Sequence, residues 1–166
     1  MRMGKLVIGI DPGKKGGIAA VGDDGSVMDV VQMPDTAQDM LLTLRELVCS
    51  CRRDGGDAVC YVEKVGGIPG QGASAAFNFG RGCGWLEMCL LALEVRTVYV
   101  TPQRWQKSYG VGSSSITRSS AAEKRAHKNA LKAVAQRLYP SLGRRVTLQT
   151  CDALLIADYG VREEAR

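Results

Sequence analysis

Apolar and polar positions first follow a two-residue rhythm. Lys5 to Asp11 is a β-branched apolar run, Gly16 to Val21 a second and Val27 to Gln32 a third. Gly22-Asp23-Asp24-Gly25 between the last two has the chemistry of a hairpin turn. The spacing predicts three meandering antiparallel strands. The period then lengthens: Met40, Leu41, Leu44, Leu47 and Val48 recur at steps of three and four, predicting an amphipathic helix from Thr36 to Arg53 that Asp54-Gly55-Gly56 stops.

Ala58 to Val62 reads as a buried strand running into Glu63 and the glycine-rich loop Gly66 to Gly72. A helix from Ala73 to Leu93, a strand from Val95 to Val100 and a short helical turn from Pro102 to Lys107 follow. Gly110 to Ser120, rich in Gly and Ser, reads as a mobile loop. Helices from Ala121 to Leu138 and from Leu148 to Tyr159 close the pattern, the last stopped by Gly160. This order predicts an α/β fold with a mixed five-stranded sheet flanked by helices, the RNase H-like architecture, and 166 residues suit a single such domain spanning 1–166.

Composition narrows the classes. With 45% hydrophobic and 23% charged residues the chain is globular, and no apolar run approaches the ~18 residues of a membrane span. A net charge of +5, with basic residues concentrated from Arg104 to Arg145, favours a polyanionic partner. The six cysteines lack paired CxxC spacing, which argues against a zinc site or a disulfide framework. The first strand starts at Lys5, leaving no room for a signal peptide. The expected setting is therefore intracellular, in cytoplasm or nucleoid, or in an organellar matrix or stroma if a transit segment was removed.

Three acids stand out by position. Asp11 closes Ile8-Gly9-Ile10 and Glu63 closes Val59-Cys60-Tyr61-Val62, so two apolar strands each end by presenting a carboxylate. Asp152 falls in the first turn of the terminal helix, with Gln149 expected one turn before it on the same face. Singly, Asp11 serves equally to start a turn, Glu63 to pair with Lys64, and Asp152 to offset a helix dipole. Jointly, they predict an all-oxygen cluster suited to Mg²⁺, with Mn²⁺ able to substitute.

At these residues the chain resembles the RuvC family. Ile8-Gly9-Ile10-Asp11-Pro12-Gly13 is similar to that family's first motif, Tyr61-Val62-Glu63-Lys64-Val65 to its second, and Asp152-Ala153-Leu154-Leu155-Ile156-Ala157 to its closing one. Ser74, Gly80, Arg81 and Gly84, then Thr101-Pro102, then Ala122-Glu123-Lys124 resemble the intervening segments. The wording from Glu63 to Trp105 and from Ala153 to Gly160 is most like the organellar and phage branches, which include the chloroplast Holliday-junction resolvases. Two positions depart from the family. Gln149 stands where an acid or histidine is usual, and Gly66-Gly67-Ile68-Pro69 stands where some bacterial members carry an aromatic.

The resemblance implies a Holliday-junction resolvase, cleaving four-way or branched DNA by metal-assisted in-line attack of water and leaving a 5′-phosphate and a 3′-hydroxyl. Asp11, Glu63, Asp152 and Gln149 would hold the metal. Lys124, ahead of Lys107, would offset charge on the phosphate. Lys64, Gln71, Phe77, Phe79, Arg81, Lys107, Lys124, Arg125 and Lys128 are the expected DNA contacts; Arg125 and Lys128 serve equally as solvated charges, and one of Phe77 and Phe79 as a buried ring. His127, the sole histidine, fits a surface or core role. Paired nicks in a twofold junction imply a homodimer, using the second helix around Trp85, Met88, Cys89 and Leu93, residues that also suit a monomer core. An actin-like ATPase opens with a similar strand and turn, but needs two such domains. A non-catalytic junction-binding protein, or an RNase H-like nuclease for flaps, forks or RNA, completes the alternatives.

Overall fold

A computed structural model describes residues 4–67, 70–112 and 120–166. The strands are β1 (Lys5–Asp11), β2 (Gly17–Gly22), β3 (Val27–Gln32), β4 (Asp57–Glu63) and β5 (Arg96–Val100). The helices are α1 (Ala37–Arg53), α2 (Ala73–Ala92), α3 (Pro102–Lys107), α4 (Ala121–Leu138) and α5 (Cys151–Glu164). The strands form one sheet in the order β3-β2-β1-β4-β5, with β1, β2 and β3 antiparallel and β1, β4 and β5 parallel. This is the mixed five-stranded α/β sheet that the pattern predicts. Ile68 and Pro69 of the glycine-rich loop, and residues 113–119 of the Gly/Ser stretch, lie outside the described residues.

Strand alternation sorts the core into two halves. On β1 and β4 the even positions Leu6, Ile8, Ile10, Ala58, Cys60 and Val62 pack with α1 and α2. The odd positions Val7, Val59 and Tyr61 pack with α5, Trp105 and the buried side of α4. Burial on both faces explains why these strands read as continuous apolar runs.

Local chemistry sets the helix starts. The Thr36 hydroxyl accepts the Asp39 N–H at 3.0 Å, and α1 then buries Met40, Leu44, Leu47, Val48 and Cys51. Ser120 and Glu123 form a reciprocal capping box at α4. Neither start depends on distant packing.

The terminal helix departs from expectation at both ends. It begins at Cys151 rather than Leu148, because the Thr147 hydroxyl accepts the N–H groups of Gln149 and Thr150 and holds them in a preceding turn. It also runs through Gly160 to Glu164. A Cβ at Gly160 would fall 2.6 Å from Val7 Cγ1 and 2.7 Å from Tyr61 Cδ2, so this glycine permits close packing and stops nothing. Gly9 does the same from the sheet side, where a Cβ would meet the Ala153 carbonyl oxygen at 2.2 Å. Pressed between sheet and α4, α5 buries Leu154, Leu155 and Ile156 completely, and each contributes roughly 1.5–3 kcal/mol of transfer free energy. A 3-10 segment at Pro140–Arg145 joins α4 to this turn, tied to β3 by Arg145 contacts to Asp29 and the Val30 carbonyl.

Candidate active site

The parallel register of β1 and β4 pairs Ile10 with Val62, so Asp11 and Glu63 stand side by side where the two strands end. Both are odd positions, and both point to the α5 side. There Asp152, only 8% exposed, projects from the first turn of α5. Three carboxylates from distant parts of the chain are therefore close enough to feel one another's charge.

A lysine completes the group. Lys128 of α4 places its Nζ against Asp152 Oδ2 and 3.8 Å from Asp11 Oδ2. Glu63 is held differently: the indole Nε1 of Trp105 donates to its Oε2 at 2.8 Å. Sequence reasoning allowed Glu63 to pair with Lys64; its partner is this indole.

Electrostatics follow from crowding. Burial, then the charges of Asp152 and Glu63, push the Asp11 carboxyl up to about 8 despite Lys128. Burial likewise raises Glu63 to about 7, with Asp152 adding to the shift and the Trp105 hydrogen bond opposing it. For Lys128, burial acts to discharge the ammonium, but Asp152 and Asp11 outweigh it and raise its pKa.

Among the described residues no three Asp, Glu, His or Cys side chains form a ready-made cage for a metal ion. The donor chemistry nevertheless suits a hard divalent cation. Burial, with repulsion from neighbouring acids, holds the Asp11 and Glu63 carboxyls up near neutral pH, and an ammonium already stands beside Asp11 and Asp152 as a monovalent counter-ion.

The other candidates divide by location. Gln149 sits in the turn before α5, not on its face, and lines a groove with Asp11, Pro12, Lys15 and Lys128. Glu63, Lys64, Gln71 and Phe79 all line one cavity of about 550 Å³. Phe79 is half-buried, whereas Phe77 is 68% exposed. Arg81 lies over the rings of Phe77 and Trp85 at 5.6 and 5.2 Å. Lys107, Lys124 and Arg125 are exposed, and none of them touches the acids. His127 is half-buried on α4, its Nε2 without a hydrogen-bond partner among the described residues.

Two residues at the site's centre were not the favoured ones. Lys128 rather than Lys124 reaches the carboxylates, and the signal was available: Lys128, Leu131 and Ala135 share one face, and the last two are the buried residues of α4. Lys124 lies one turn earlier in the same row and is exposed. Trp105 belongs to none of the expected contact sets.

No protein-family model matches the chain, and no curated protein matches it. Solved structures do. Thermus thermophilus RuvC aligns with a TM-score of 0.59 at 16% identity, covering 96% of each chain. The fold is that of RuvC. A second T. thermophilus RuvC structure, in complex with Holliday junction substrate, aligns with a TM-score of 0.61 at 15% identity over 97% of this chain and 96% of that one. The RuvC fold thus covers nearly the whole chain.

Proposed function

We propose that this chain is a divalent-metal-dependent DNA endonuclease that resolves four-way junctions. The observation carrying the proposal is the convergence of Asp11, Glu63 and Asp152 around Lys128 at one sheet end, on a fold shared with a protein solved on Holliday junction substrate. Asp11, Glu63 and Asp152 would hold Mg²⁺, with Mn²⁺ as a substitute, and a bound divalent ion would supply Lewis-acid activation of water and stabilisation of the leaving oxygen. Gln149 contributes a neutral amide at the edge of the same groove.

The remaining steps belong to protein groups. Lys128 holds two acids in place before DNA arrives and offsets charge that builds on the scissile phosphate. Lys124, exposed one turn along α4, meets a neighbouring phosphate, and Lys107 and Arg125 extend the basic surface. Lys64, Gln71, Phe79 and Arg81 line the grooves beside Glu63 where branched DNA would lie.

Paired nicks need two such sites, and α2 offers a surface for a second copy. Phe77, Met88 and Leu91 are 68%, 60% and 71% exposed and lie along one stripe with Gly80 and Gly84. Of the residues first assigned to that interface, Cys89 is buried in the monomer core, with Trp85 and Leu93 packed against it. Met88 alone remains outside.

The test is cleavage of a synthetic four-way junction beside matched linear duplex, flap and fork, in Mg²⁺ or Mn²⁺, with wild type and Asp11→Asn. Symmetric nicks in the junction alone, lost in the variant, are expected. Tight junction binding without cleavage would replace the enzyme with a binding module. Equal cutting of every substrate would retain a nuclease without junction selectivity.

A further inference from the structure

The three acids are not held alike. Asp11 and Asp152 face the ammonium of Lys128, whereas Glu63 takes its hydrogen bond from an uncharged donor, Trp105. That indole is 0% exposed. Its ring meets Tyr109 edge-on at 6.4 Å between centroids, and the Tyr109 hydroxyl lies 2.8 Å from the Leu155 carbonyl and 2.7 Å from Asp158 Oδ2. The donor is thus clamped onto α5, the helix that presents Asp152.

We propose that Trp105 is a positioning residue for Glu63, ordering this carboxylate for a divalent cation without neutralising it; the inference rests on the metal-dependent reading above. An indole N–H only donates, does not titrate and cannot itself ligate a cation. It occupies Oε2, restrains the side-chain torsions of Glu63 and leaves the full negative charge for the ion. A lysine in that place would compete with the cation it is meant to help bind. Partners that orient a metal ligand from behind typically govern roughly 10- to 100-fold in metal affinity.

The chain has two tryptophans, so Trp85→Phe leaves Trp105 as the sole indole. In that background Mg²⁺ is titrated without DNA, followed by calorimetry and by the ¹H–¹⁵N cross-peak of the indole. The cross-peak is expected to move in step with the calorimetric isotherm. Trp105→Phe, its fold checked by circular dichroism, is expected to bind Mg²⁺ roughly 10- to 100-fold more weakly and to recover most of its junction cleavage at saturating Mg²⁺. A stationary cross-peak through metal saturation overturns the proposal, and so does a folded Trp105→Phe with wild-type affinity. If that variant does not fold, the cross-peak decides alone. Absence of both binding heat and a Mg²⁺-induced rise in Tm in wild type removes the metal reading itself, a result distinct from a bound ion the indole does not sense.

Discussion

The ammonium of Lys128 joins acids from the first strand and the last helix, touching Asp152 and standing 3.8 Å from Asp11. It neutralises part of a charge cluster that has no other cation within the described ion pairs. Lys128→Met therefore leaves two buried acids facing each other. Because the lysine side chain is 30% exposed, the loss in metal-free stability is expected at roughly 1–3 kcal/mol, below that of a fully buried pair. Mg²⁺ should raise Tm more in the variant than in wild type, and single-turnover junction cleavage should fall roughly 100-fold. Equal Mg²⁺ shifts in a thermal melt would show that the lysine does not stand in for a divalent ion.

Asp11→Asn tests the repulsion itself. The folded-state pKa of Asp11 is raised from 3.8 to about 8, so its contribution to stability is present at low pH and is lost as pH rises through about 8. Metal-free wild type should lose stability over that window, and the amide should not. The variant is expected to melt higher than wild type by an amount that widens from pH 5 to pH 8.5, reaching roughly 1–3 kcal/mol. Saturating Mg²⁺ should close the gap. A difference independent of pH would indicate a packing effect.

Glu164 gives the opposite pH signature. Burial alone would raise its pKa, but hydrogen bonds from Arg96, Lys5 and Tyr61 outweigh it and hold the carboxyl at about 2. A depressed pKa stabilises the fold above the ordinary value of 4.5, and that support is lost as pH falls toward 2. Glu164→Gln should melt below wild type at pH 7, with the difference shrinking through acid titration. A constant difference down to pH 2.5 would contradict the assignment.

The exposed glycines of α2 separate two environments. A Cβ at Gly84 meets nothing within 4 Å, and glycine weakens a helix interior relative to alanine. Gly84→Ala should stabilise the monomer by roughly 0.5–1 kcal/mol. If a second copy packs on this stripe, the same substitution should weaken dimerisation in sedimentation velocity. Unchanged association would move the dimer surface elsewhere.

The acid cluster was legible because a carboxylate that ends an apolar strand is a local anomaly, and alternation then decides which face it takes. The five strands were legible for the same reason. Gly160 misled because a rule about helix ends was applied where packing governs, and only the contacts with Val7 and Tyr61 reveal the difference. Lys124 was preferred to Lys128 on resemblance, although the buried face of α4 already pointed to the latter. Trp105 required three dimensions: nothing in its neighbours along the chain indicates that its N–H reaches Glu63, 42 residues earlier.

The site's dispersal along the chain has a consequence for biosynthesis. β1 and β4, bearing Asp11 and Glu63, leave the ribosome before α4 and α5, which bear Lys128 and Asp152. Until the last helix docks onto Gly9, the nascent protein has two of its three clustered acids and lacks the one that Lys128 touches. The complete cluster can therefore form only once synthesis has passed α5.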